Sequence, residues 1–196
     1  MSLLQTFKYN LSNLLNFNGR QARGQFWPFA GLVVAFSFVG MMLAMTPAMN
    51  ASFARMQEFA MEHPELATIE QGPGSYFISI RGHHPELMPD FALVILLTAA
   101  LLALIVGLLA AAIARRLHDC GKRAAWGLMP LPFIVFAGIL MPKLFAQFRE
   151  SAPDVNLFLA LLVNNFLYLG SLFFLIILLA GEGTRGENRY GPKPPG

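Results

Sequence analysis

Apolar residues in this chain neither alternate nor recur at helical spacing over most of its length; they run on. Phe26–Met45 contains no charged residue, and neither do Phe91–Ala114, Ala124–Pro142 and Val155–Gly181. A hydrocarbon layer about 30 Å thick takes roughly 20 apolar residues of helix to cross. The pattern therefore predicts an all-α chain: an integral membrane four-helix bundle with spans at about 26–45, 91–114, 124–142 and 155–181. A single membrane domain then accounts for residues 1–196, with no length left for a soluble one.

The period changes ahead of the first run. Leu3, Leu4, Phe7, Leu11, Leu14 and Leu15 fall at helical spacing, with Gln5, Lys8, Ser12 and Asn13 turned away from them. That is the pattern of an N-terminal amphipathic helix lying in the membrane interface. Gly19 and Gly24 are expected to break the path before the first span. Trp27 suits the headgroup level, and Pro28 an early helical turn. The first span is expected to end near Met45, ahead of Pro47.

The connection 46–90 is the longest polar stretch. It sets Glu58, Glu62, Glu65, Glu70, Glu86 and Asp90 against Arg55 and Arg81. Ala51–His63 reads as a helix, Gln71–Gly74 as a turn and Tyr76–Ile80 as a strand, together a small ordered flap. Pro130, Pro132 and Pro142 are expected to kink the third span. Asn164 and Asn165 lie deep in the fourth. An amide in hydrocarbon calls for a partner, so at least one should face another helix; a ligand or ion path is the other reading of intramembrane polar groups.

Composition sharpens this picture at a few points. The 196 residues are 56% hydrophobic and 13% charged, about half the charge of an ordinary soluble domain. The pI is near 9.3 and the mean hydropathy +0.54. Because the basic residues flank the apolar runs, membrane-surface charge accounts for them and nucleic acid is not expected as a partner. Cys120 is the single cysteine, so no intrachain disulfide forms. A cleavable leader is not expected, since the first apolar run starts only at Phe26 and exceeds a leader's usual apolar length. His83-His84 lacks further ligands at metal-binding spacing, so neither a metal nor any other cofactor is expected. No ionisable residue stands near the middle of a span, which argues against a proton-driven pump.

Charge also sets an orientation. Lys8, Arg20, Arg23, Arg115, Arg116, Lys122, Arg123, Arg185, Arg189 and Lys193 fall on one side of a four-span topology, against Arg55, Arg81, Lys143 and Arg149 on the other. The richer side is expected to be cytoplasmic, with both termini inside and 46–90 extracytoplasmic.

Three polar clusters share the basic side. They are Asn18–Arg23 before the first span, Arg115–Arg123 between the second and third, and Gly186–Pro192 after the fourth. Their residues, Gly19-Arg20 with Arg23 and Phe26-Trp27, Arg115-Arg116-Leu117-His118-Asp119 with Gly121 and Trp126, and Asn188-Arg189-Tyr190-Gly191-Pro192, resemble in order and over nearly the whole chain the bacterial inner-membrane family called domain of unknown function 805. Ala124-Ala125-Trp126-Gly127 stands where that family usually carries Ser-Gly-Trp-Trp. The resemblance implies a multi-pass protein of the bacterial inner (plasma) membrane and no established activity.

The clusters themselves suggest a site. Asp119 is placed to pair with an arginine of another cluster, Arg20, Arg23 or Arg189, as a carboxylate–guanidinium fork. Gly121 fits a helix stop, and Tyr190 an anchor for the folded-back tail. Two uses follow: a salt-bridged collar, or an anion site built from Arg20, Arg23, Arg115, Arg116, His118, Asp119 and Arg189 that takes a phospholipid headgroup. His118 and Asp119 are also the residues an enzyme acting on a lipid-linked phosphate would use as acid or base and helper, but no nucleophile accompanies them. The expected function is thus non-enzymatic. The expected partners are the bilayer, anionic phospholipid, and a second copy or another membrane protein. A small transporter or channel component is the alternative.

Overall fold

The computed structural model describes residues 2–149 and 154–194, so the connection before the fourth span is described only in part. Its helices are α1 (Leu3–Ser12), α2 (Arg23–Glu62), α3 (Phe91–Asp119), α4 (Leu131–Arg149) and α5 (Val155–Ala180), with strands β1 (Ala67–Gly72) and β2 (Ser75–Ile80) between α2 and α3. Short 3-10 turns cover Pro85–Leu87 and Ala124–Leu128. Four of the helical segments are long and apolar enough to cross a membrane.

The largest contacts join α2 to α3 and α4 to α5, and α3 also meets α4 and α5. The buried core is concentrated at one end. Phe26, Phe29, Ala30 and Val33 of α2 pack there on Ala112 and Leu117 of α3 and Leu175 and Leu179 of α5. Elsewhere large side chains such as Phe36, Phe38, Leu43, Phe166 and Phe173 stand exposed. Apolar area on this scale needs a nonaqueous solvent.

α1 starts with a capping box, the Ser2 hydroxyl accepting from the Gln5 amide while the Gln5 side chain accepts from the Ser2 amide. The helix docks through Phe7, whose ring lies 5.7 Å from that of Phe29, and through buried Thr6 and Asn10. Leu14 and Leu15, expected on the same helix, fall in the turn after its end at Ser12, and Leu3 and Leu4 of the leucine face remain exposed. That suits an interfacial helix, whose apolar face meets lipid while a few residues meet protein.

Several boundaries differ from the sequence reading. α2 does not stop at Met45; it runs 40 residues through Pro47 and absorbs the helix expected at 51–63. Pro47 removes one backbone bond, and the Thr46 hydroxyl donates to the Met42 carbonyl at 2.8 Å beside it. At 1.5 Å per residue α2 is about 60 Å long, twice the hydrocarbon thickness. Gly24 lies inside α2, and Pro28 sits in its second turn rather than at its start. Gly19, with φ +81°, does turn the chain.

At the far end of α2, β1 and β2 form an antiparallel hairpin in register Ala67↔Ile80 to Gly72↔Ser75. The loop is Pro73-Gly74, and Gly74 adopts φ +80° as the third residue of a type II turn requires. β1 was not expected from the sequence; its exposed, polar residues carry no alternation, and pairing with β2 makes it a strand. Phe53 meets Tyr76 edge-on at 5.8 Å, and Arg55 donates to the carbonyls of Glu86 and Met88 at 3.0 and 2.8 Å, which ties the flap to α2. His84 is engaged by Glu86 and the Arg81 carbonyl. Among the described residues no group of His, Cys, Asp and Glu is arranged to hold a metal.

α3 continues five residues past Ala114, to Asp119, so the basic cluster begins as its last helical turn. α4 begins at Leu131, not Ala124: Ala124–Leu128 is a 3-10 turn, and Pro130 and Pro132 lie at the start of the helix, where missing N–H groups cost little. Pro142 alone of the three sits inside α4.

Candidate functional site

Three helices, α1, α3 and α5, end at the same pole, where α2 begins. Each C-terminus carries unpaired carbonyls and roughly half a negative charge. The guanidinium groups gather there. Arg115, Arg116 and Asp119 are 1%, 0% and 4% exposed, and Arg20 and His118 are also buried.

Asp119 is held from two sides. Arg20 Nε donates to Oδ1 at 3.0 Å, and Arg116 Nη1 donates to Oδ2. Arg116 then reaches across to α5, where Nε donates to the Leu179 carbonyl at 2.9 Å and Nη2 to that of Gly181. Arg20 reaches the tail: Nη2 donates to the Thr184 carbonyl at 2.7 Å, and Nη1 to those of Gly186 and Gly191 at 2.6 and 3.2 Å.

Arg115 points the other way and, among the described residues, meets no carboxylate. Its Nη1 donates to the Asn13 carbonyl at 2.8 Å and to that of Asn16, its Nη2 to Asn10 Oδ1 at 3.1 Å, and its Nε to Gln21 Oε1 at 3.1 Å. Gln21 closes this polar knot by donating to Asn10 Oδ1 at 2.9 Å. Three guanidiniums against one carboxylate leave an excess of positive charge, and the carbonyls at the ends of α1 and α5 offset it.

The end of α3 explains why these side chains converge. Gly121 has φ +69°, its N–H donates to the His118 carbonyl at 3.0 Å, and the Lys122 N–H donates to that of Leu117 at 2.8 Å. This is a Schellman stop. The Asp119 carbonyl accepts the Thr184 N–H at 2.9 Å, and Asn188 Nδ2 donates to the His118 carbonyl at 3.0 Å. The tail is thus stitched to the same turn.

Asn188–Gly191 closes on itself through paired backbone bonds of 3.2 and 2.9 Å, with Gly191 at φ +118°. Tyr190 is the anchor expected of it: its ring stacks on His118 with centroids 3.7 Å apart and an interplanar angle of 10°. Arg189 lies over the outer face of Tyr190 at 4.6 Å, so of the three arginines considered for Asp119, only Arg20 takes it. Arg23 instead approaches Glu182 at 3.8 Å, with both side chains largely exposed. Pro192 is exposed, and Trp126 packs on Phe174 at 6.0 Å between centroids. Gly127 would put a Cβ 2.9 Å from Ile113 Cγ2, so a side chain there requires Ile113 to shift.

The chemistry open to these groups is narrow. His118 Nδ1 is 3.1 Å from the Gly19 carbonyl and its ring is covered by Tyr190. Asp119 is saturated by two arginines. Burial pushes the Cys120 thiol up from its ordinary value, so it stays protonated beside the Gly181 carbonyl. A shallow cavity of about 280 Å³ opens beside the knot, lined by Arg23, Arg185 and Lys193 together with Arg116, Asp119, Glu182 and Thr184.

Gly183 makes the closest approach, because a Cβ there would stand 2.8 Å from Asp119 Cγ. A free carboxylate would swing aside; this one is pinned. Gly183→Ala is expected to cost about 1–3 kcal/mol by overpacking, read as a lowered unfolding midpoint in detergent, with the larger Gly183→Val costing more.

Asn164 and Asn165 do not belong to this site. Asn164 is buried and donates to the Phe133 carbonyl of α4 at 3.0 Å, while Asn165, about a third of a turn away on α5, is exposed. Sequence reasoning missed Asn10, Gln21, Gly183 and Thr184 as members of the site. Asn10 gave a faint signal as a polar residue one turn from Thr6 and Asn13; Gly183 and Thr184 gave none.

Four apolar helices, with a buried arginine knot at the pole where α1, α3 and α5 end, define a membrane protein. The chain belongs to the family described as protein of unknown function (DUF805), whose model matches residues 14–192. That range takes in every residue of the knot except Asn10 and Asn13. No curated protein and no solved structure matches the chain.

Proposed function

We propose that this is a non-enzymatic, multi-pass protein of a bacterial inner membrane, with both termini cytoplasmic, whose arginine knot holds a rigid inner platform that receives an anionic phospholipid headgroup. The observation that carries this reading is the division of labour among the cations. Arg20, Arg115 and Arg116 are consumed by Asp119, Asn10, Gln21 and carbonyls, whereas Arg23, Arg185 and Lys193 open onto the shallow cavity. Among the described residues Arg185 and Lys193 have no acidic partner, and Arg23 has only a long, exposed contact. A phosphate in this cavity would meet three cations against one exposed acid, Glu182, at the level where lipid headgroups lie.

Of the anion site expected from the sequence, Arg23 is kept and Arg185 and Lys193 join it, while Arg20 and Arg115 are engaged elsewhere. The pairing of Asp119 with two arginines and the stacking of His118 on Tyr190 weigh against acid–base work by either. Asn164 is paired with the Phe133 carbonyl, which weakens the part of the transporter alternative that rests on it.

Each surface cation contributes roughly 1 kcal/mol toward an anionic lipid surface. Replacing Arg23, Arg185 and Lys193 together with serine is expected to lower retention of phosphatidylglycerol or cardiolipin by roughly a hundredfold relative to phosphatidylethanolamine, as read by native mass spectrometry, with the unfolding midpoint unchanged. Retention of anionic lipid equal to wild type would overturn the reading.

A further inference from the structure

α5 carries two seams. Leu161, Asn164, Ser171, Leu175 and Leu179 are buried against the rest of the chain. About a third of a turn away, Phe158, Leu162, Asn165, Leu169, Leu172 and Ile176 follow one another at intervals of four and three residues. A line with that 4-3 spacing can pack along another helix, and Asn165 is its one polar residue. Five of the six residues are exposed and Leu172 is half-buried.

The inner seam satisfies its polar groups. Asn164 donates to Phe133, and the Ser171 hydroxyl to its own helix at Tyr168. Hydroxyls in the other spans do likewise, Ser37 to Val33 and Thr98 to Val94. Asn165 on the outer seam has no hydrogen-bond partner among the described residues. Whichever 20-residue stretch of α5 fills the hydrocarbon, Asn165 lies at least about 6 Å inside it. There a free amide has neither water nor protein to pair with, and lipid tails offer nothing.

We propose that the outer seam of α5 is the interface for a second copy of this chain, with Asn165 hydrogen-bonded to Asn165 across a two-fold axis along the membrane normal. The amide is both donor and acceptor, so it is complementary to itself. Every copy inserts with the same topology, so each presents the group at the same depth on a parallel helix. A two-fold pair brings like residues together in this way. A single asparagine on an otherwise apolar seam also fixes register. None of the basic-pole residues takes part, so this interface stands or falls independently of the lipid site.

The test uses the full chain in lipid bilayers, with subunit number read by single-molecule photobleaching over a series of protein-to-lipid ratios. Wild type is expected to be dimeric. Asn165→Leu should weaken association on the order of tenfold, within the range of interhelical hydrogen bonds in lipid. Asn165→Gln should retain it, and Val163→Ala, on the opposite face, should leave it untouched. In a Cys120→Ser background, Leu169→Cys should give disulfide-linked dimers and Val163→Cys none. An unchanged unfolding midpoint for Asn165→Leu would show that the fold survives. The proposal is overturned if wild type stays monomeric at every ratio, if Asn165→Leu dimerises as well as wild type, or if the seam pairs only with a different membrane protein while the pure chain remains single.

Discussion

Asp119→Ala is expected to destabilise the folded protein by about 3–5 kcal/mol, the cost of leaving buried charge without its partner. The reason lies in what remains. Arg20 and Arg116 would still be buried, still aimed at one point, and now repelling each other with no carboxylate between them. Both are also tethered elsewhere, Arg20 by the tail carbonyls and Arg116 by the end of α5, so neither is free to swing into water. Asp119→Asn keeps the size but loses the charge, and its amide nitrogen would face a guanidinium; it should recover little. Unfolding in detergent micelles, followed by helical signal, measures both. In a double-mutant cycle, Asp119→Ala and Arg20→Met should be coupled by more than about 1 kcal/mol, as for groups in one network. Additive costs would show that Asp119 and Arg20 do not act together.

Arg115→Ala should cost about 3 kcal/mol, through the loss of charge-assisted hydrogen bonds to groups that then stay buried and unpaired. Its expected effect is local. Arg115 is the strut between the end of α3 and residues 10–21, so amide exchange in α1 and the following turn should rise first, while α4 and α5 keep their protection. Arg115→Lys should rescue only part of the loss. One ammonium on a flexible stem does not span four acceptors that the planar guanidinium reaches from fixed directions. If exchange rose evenly over the whole chain, Arg115 would be a general stabiliser rather than the clamp on α1.

The exposed basic residues form a useful contrast. Arg23 and Glu182 are an exposed pair at 3.8 Å, and such pairs are worth little to stability. The same type of side chain thus serves two ends, according to whether protein or solvent surrounds it. That is why the stability and lipid-retention experiments are expected to separate cleanly by residue.

How much of this was legible in the chain depends on the kind of signal. The spans were legible because crossing hydrocarbon imposes a length and forbids charge, and uninterrupted runs such as Phe91–Ala114 have no other ready use. The Schellman stop at Gly121 was legible because positive φ favours glycine. Where α2 ends was not. Pro47 reads as a terminator in isolation, yet a helix with good formers on both sides absorbs one lost bond. The start of α4 failed for the opposite reason: Ala124–Leu128 is apolar enough to be a span but is folded as a 3-10 turn.

The sequence by itself determined that this is a membrane protein with four apolar helices, an amphipathic first helix and its cations gathered at one pole, because solvation by lipid is a property of composition and order along the chain. Only the tertiary structure decided which arginine takes Asp119, that Arg115 relies on amides and carbonyls instead, and that Asn164 is paired while Asn165 is not. Those outcomes turn on distances between residues up to 171 positions apart in the chain, and on which side of a helix faces a neighbour. No local pattern encodes either.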